Sequence, residues 1–102
     1  AYSHCIAHGF DMAQGLDHQR LAIDSGYWPL YRFDPRREAA NQPPLVVDSP
    51  SAKADVADLM KLESRFQSVA QHDPSHYVEL VDRARQQIAK RLALYRELAG
   101  TR

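Results

Sequence analysis

The side chains with the widest chemical range stand together near the start of the sequence: His4, Cys5 and His8, in the pattern H-C-x-x-H. A thiolate with imidazoles nearby can bind zinc, ligate an iron–sulfur cluster, or act as a nucleophile beside a histidine base. A structural zinc site wants four ligands. Cys5 and His8 supply two and His4 a third, but no Cys-x-x-Cys pair completes the set. His72 and His76 have one-turn helical spacing, yet Asp73-Pro74 falls between them and interrupts a helix. Cys5 is the only cysteine. A four-iron cluster normally takes four thiolates, so a cluster here needs its other ligands from elsewhere. The structural alternative is a small buried cysteine that behaves as an apolar residue. His8, next to Gly9, either hydrogen-bonds a ligand of such a site or is satisfied by backbone at a turn.

Other candidates favour structural readings. Arg32, Arg36 and Arg37 could hold phosphate, but Asp34 and Glu38 flank them and suit an internally paired, solvated turn. Trp28 and its neighbouring tyrosines could wall a cofactor, or pack on the preceding helix. The last two helices could dock a partner, though their apolar stripe is what any core-facing helix shows.

Several elements must position these groups. Gly9 breaks regular structure after Cys5. Asp11 is an N-cap, with Gln14 three residues on. A helix is expected over about 12–25, its period carried by Met12, Leu16, Gln19 and Ile23 with Ala22 beside them. Ser25-Gly26 ends it. Tyr27 to Phe33 reads as a strand, held to an edge by Pro29, and Asp34 to Arg37 as a turn. One short helical turn is expected over Glu38–Asn41. Residues 42–52 form an extended crossing that contains the short extended segment Leu45–Val47. Helices follow over about 53–71 and 75–99. The first carries Val56, Leu59, Leu62, Phe66 and Val69. The second carries Tyr77, Val81, Ala84, Ile88, Leu92, Tyr95 and Ala99. Asp73 caps the last helix, Pro74 is its first residue, and Gly100 ends it. The short link predicts an antiparallel helical hairpin. The fold class is therefore α+β and mainly helical, divided as 1–52 and 53–102.

Composition narrows the function classes. The chain has 102 residues, 44% apolar and 25% charged, with formal net charge +0. Nothing in that balance points to nucleic acid or an anionic membrane. No apolar run approaches the roughly 20 residues of a bilayer span. No basic-then-apolar leader signals secretion, and a lone cysteine fits a reducing compartment. The sequence opens on Ala-Tyr-Ser-His-Cys without an initiator methionine, and its chemistry lies in the first ten residues, where termini usually fray. The expectation is a piece of a longer protein.

Two strings carry a family resemblance: Tyr2-Ser3-x-Cys5-Ile6-Ala7-His8-Gly9, and Asp24-Ser25-Gly26-Tyr27-Trp28-Pro29-Leu30-Tyr31-Arg32-Phe33-Asp34-Pro35. Together they resemble the C-terminal end of pyruvate:ferredoxin (or flavodoxin) oxidoreductases. More loosely, Pro43-Pro44-Leu45 to Asp48-Ser49 sits where that family has N-P-F-x-L-D-S. Glu63-x-Arg65-Phe66 matches its helical E/Q-x-R-F. The likeness spans nearly the whole chain.

The resemblance implies a large multidomain enzyme with thiamine diphosphate, Mg2+ and three [4Fe-4S] clusters. Such enzymes oxidatively decarboxylate pyruvate onto coenzyme A and pass electrons singly to ferredoxin or flavodoxin. It implies a homodimer and a cytoplasmic location. It makes this chain the tail of a larger α/β thiamine-diphosphate-binding domain. Cys5 then occupies the position of the fourth ligand of the cluster nearest the thiamine, with His8 supporting it. The other ligands, and the diphosphate- and magnesium-binding residues, belong to upstream domains, so the piece alone is expected to be inactive. Two alternatives stand beside this: a free-standing helical partner-binding module without cofactor, and a related 2-oxoacid:ferredoxin oxidoreductase.

Overall fold

Residues 2–3 and 5–100 are described by the structure, a computed structural model. His4, the candidate third ligand, lies outside them. The first helix begins where its cap predicts. The Asp11 carboxylate accepts a hydrogen bond from the Ala13 N–H at 3.0 Å and starts a 3-10 turn at Met12–Gln14, which passes into α1, Gly15–Asp24. The buried face of α1 differs from the expected one. Met12 and Leu16 are exposed, Leu16 at 84%, while Gly15, His18 and Ala22 are buried. Both stripes have spacings of three and four, so periodicity alone does not choose between them. The choice falls to Gly15 and Ala22, which are small, and to His18, which finds a polar partner inside.

Gly26 ends α1 at φ +78°, the left-handed conformation glycine adopts without penalty. A Cβ there would lie 2.7 Å from Ile88 Cγ2, so the position also admits the last helix at close range. The chain then folds back: the Trp28 N–H donates to the Ala22 carbonyl at 2.9 Å. The strand expected over 27–33 is therefore shorter. Its paired part is β1, Tyr31–Phe33, antiparallel to β2, Leu45–Val47, with Arg32 opposite Val46. Pro29 has no N–H to give a ladder. Beside it, Leu30 is held by Asp48 and Ser49 through its own carbonyl and N–H. Between the strands, Asp34 caps a 3-10 helix, Pro35–Ala40, longer than the single turn expected at 38–41.

The helix expected over 53–71 is two helices. They are α2, Val56–Leu62, and α3, Ser64–His72, broken at Glu63, whose backbone is extended at φ −109° and ψ 123°. No glycine or proline marks the break. Glu63 leaves the helix because its side chain turns inward to His18, and the Gln67 amide covers the freed Met60 carbonyl at 3.0 Å. Asp73 then caps α4, Pro74–Leu98, by accepting from the His76 N–H at 3.2 Å. Pro74 is its first residue, as expected, and α3 packs against α4 across the single linking residue. Ala22 of α1, Val56 and Leu59 of α2, and Val81, Ile88 and Leu92 of α4 form the core. Arg91 of α4 donates to the carbonyls of Gly26 and Tyr27, both at 2.7 Å, and so ties α4 to the turn after α1. The result is a mainly helical α+β unit with a two-stranded sheet.

Candidate metal-ligand turn at Cys5

Cys5 sits in extended backbone, φ −143° and ψ 166°, just before a 3-10 turn at Ile6–His8. Its carbonyl accepts from the His8 N–H at 3.0 Å, and the Ile6 carbonyl accepts from the Gly9 N–H at 3.0 Å. Gly9 closes the turn at φ +71°. The Gly9 carbonyl then receives two hydrogen bonds from one residue, the Ser64 N–H at 2.8 Å and the Ser64 hydroxyl at 2.7 Å. A Cβ on Gly9 would stand 2.5 Å from Ser64 Cβ. The turn that carries Cys5 is thus anchored to the start of α3, 55 residues away in sequence.

This arrangement presents Cys5 outward. The thiol is free and exposed, so the described residues themselves do not bury it. Its neighbour Ile6 is 86% exposed. Residues 2, 3 and 5 are in no strand, and Ile6 opens the 3-10 turn.

His8 points the other way, into a group of rings. Its imidazole stacks near Tyr2, Phe10 and His18, with centroids 6.2 to 6.5 Å apart. Phe10 lies flat on His18 at 3.9 Å and 4°, and Tyr2 touches Trp28 at 5.3 Å. His18 is 1% exposed, and its Nε2 meets Glu63 Oε2 at 3.0 Å, with Glu63 fully buried. The other Glu63 oxygen accepts from Arg65 Nε at 2.5 Å, and Arg65 reaches the Tyr27 hydroxyl at 3.4 Å. Burial opposes the charge on Arg65, but the hydrogen bond to Glu63, the bond to Tyr27 and the Glu63 charge outweigh it and raise its pKa. Burial also raises the Tyr2 phenol, with the Glu63 charge adding to it. The Tyr2 hydroxyl and the Nδ1 atoms of His8 and His18 are buried without a hydrogen-bond partner among the described residues.

His18 is the residue that sequence reading missed. Its signal was indirect: a polar side chain between Gly15 and Ala22, with a Glu-x-Arg triplet far downstream to receive it. The remaining candidates resolve toward structure. His72 bonds the Ser68 carbonyl and His76 sits beside Glu79, so they do not pair. Arg32 holds Asp48, Arg36 holds Asp34, and Arg37 donates to the Pro43 carbonyl. Trp28 packs on the core. Among the described residues no group of three His, Cys, Asp or Glu side chains is placed to hold a metal. A site that took the Cys5 thiolate would need its other donors from outside these residues.

Similarity to known proteins gives this turn its context. No family model matches the chain. Over 100 residues it is 47% identical to the pyruvate-flavodoxin oxidoreductase of Rhodospirillum rubrum, an alignment covering 98% of the chain and 8% of that protein. It is 37% identical to the pyruvate-flavodoxin oxidoreductase of Trichormus variabilis over 98% of the chain and 8% of that protein. It is 31% identical to the pyruvate:ferredoxin oxidoreductase of Moorella thermoacetica over 97% and 8%. The chain belongs, as a segment, to the family of pyruvate-flavodoxin and pyruvate:ferredoxin oxidoreductases. It spans about 8% of the length of the curated relatives it matches.

Proposed function

We propose that this segment is part of an enzyme that oxidatively decarboxylates pyruvate to acetyl-CoA and hands the electrons to ferredoxin or flavodoxin. The observation that carries this reading is the end-to-end match to oxidoreductases so named. Pyruvate and coenzyme A become acetyl-CoA and carbon dioxide, and the two electrons released leave singly to the acceptor protein. In this reading residues 1–52 close a thiamine-diphosphate and iron–sulfur domain, and residues 53–102 are its C-terminal helical part, which holds α2, α3 and α4. Upstream domains of the same chain bind thiamine diphosphate and Mg2+, and the whole works in the cytoplasm as a homodimer.

The segment's own contribution is Cys5, one thiolate ligand of a 4Fe-4S cluster. Such a cluster, when bound, accepts and releases one electron at a time. The exposed thiol on an anchored turn supports this role, because a ligand completing a site held elsewhere must face outward. His8 supports the ligand through the turn: its N–H fixes the Cys5 carbonyl, and its ring braces the turn against Tyr2 and His18. With one ligand of the four, the segment alone is inactive.

The test is on the purified full-length protein. Acetyl-CoA should form from pyruvate and coenzyme A, with matched reduction of ferredoxin or flavodoxin, and with iron and thiamine diphosphate bound. Faster turnover of a different 2-oxoacid would move the substrate within the same reaction class. Absence of iron and of any 2-oxoacid oxidation would overturn the reading.

A further inference from the structure

We propose that the break between α2 and α3 is a positioning device for Cys5, with Ser64 as the positioning residue. The inference rests on the ligand role of Cys5 given above and adds what sets that ligand's orientation. Helix breaks without glycine or proline need a compensating interaction. Here there are two, directed to opposite sides. Glu63 turns inward and is held by His18 at 3.0 Å and by Arg65. Ser64 is thereby left at the first position of α3 with its N–H unpaired within the helix. That N–H and the Ser64 hydroxyl both close on the Gly9 carbonyl, at 2.8 and 2.7 Å. A continuous helix through 63 and 64 would turn this N–H to its own preceding turn and release Gly9. Nothing about the core requires the hydroxyl, since the backbone N–H alone satisfies one lone pair. Its addition gives the Gly9 carbonyl oxygen a second donor from the same residue and tightens the tether of the Cys5–Gly9 turn.

Ser64 acts through Gly9 and not on the cluster itself. Ligand orientation and hydrogen bonding around the sulfurs set the potential of a cluster. A loosened turn therefore shifts one cluster and leaves its companions alone. The experiment compares Ser64→Ala with Ser64→Thr in the full-length enzyme. It reads the midpoint potential of each cluster by spectroscopically monitored titration, the rate of iron loss to a chelator, and amide exchange across residues 5–9. Ser64→Ala should displace one cluster signal, speed its iron loss by roughly 10-fold, and raise exchange at the turn. Ser64→Thr, which keeps the hydroxyl, should restore all three. Cys5→Ala is the control, and it should abolish the same signal. If it does so while Ser64→Ala moves nothing, or while alanine and threonine move it equally, the positioning role is overturned alone. If Cys5→Ala keeps every cluster, the ligand role fails and the positioning role with it.

Discussion

Substitution of Gly9 is strained for two reasons that add. Its backbone is left-handed, and its missing Cβ leaves the space that Ser64 Cβ fills at 2.5 Å. Gly9→Ala should cost at least the roughly 1–2 kcal/mol of the left-handed conformation, read as a lower denaturation midpoint of the 102-residue chain. An unchanged midpoint would mean that the turn is not anchored. His18 gives a second expectation. His18→Leu keeps the volume but leaves the buried Glu63 with Arg65 alone, and removing one partner of a buried polar pair costs about 1–3 kcal/mol. Denaturant unfolding measures this, and a neutral result would mean that Glu63 is satisfied without His18. These two residues mark the limits of sequence reading. Gly9 was legible because its signal is local, a glycine closing a turn. His18 was not, because its justification lies 45 positions away. A polar residue on a helix reads as surface until its partner is known.

Helix starts and stops were legible for the same local reason. Asp11 and Asp73 accept backbone N–H bonds at helix starts, and Gly26 and Gly100 stand at helix ends with positive φ, as expected; Asp55 caps α2, which begins three residues later than the start expected near 53. The break at Glu63 was not legible, since it is imposed by His18 and Gly9 from outside the helix. The inner face of α1 was misread because two stripes shared one period. Contacts between helices also respond to pH. Arg85 of α4 hydrogen-bonds Asp55, the cap of α2, at 2.7 and 2.9 Å. With the Ala57 N–H, it lowers the Asp55 carboxyl from 3.8 to about 2. A carboxyl depressed in the folded state stabilises the fold above its unfolded value and loses that contribution as pH falls through the folded one. Arg85→Met should therefore lower the melting temperature at neutral pH, and the gap to wild type should close between 3.8 and about 2. A gap that persists unchanged at the acid end would assign the effect to packing of the Arg85 stem.

The whole molecule is elongated, 53 × 29 × 19 Å, and keeps large apolar side chains outside. Ile6, Leu16, Phe33 and Leu98 are all exposed. The chain spans about 8% of the length of its relatives, and the proposed ligand role of Cys5 predicts that the upstream domains meet the face carrying Ile6 and Leu16. Leu16→Lys should then leave the isolated chain's unfolding free energy within about 0.5 kcal/mol of wild type. In the full-length enzyme it should lower stability and cluster retention together. Equal indifference in both would place that face in solvent. The ligand role of Cys5 decides the larger question, and iron counting tests it most directly. In the full-length enzyme, Cys5→Ala should lose one cluster's iron and one reduced-cluster signal while thiamine diphosphate stays bound. Wild-type iron with every cluster signal in place would contradict Cys5 as a ligand and leave this segment a purely structural part of the enzyme.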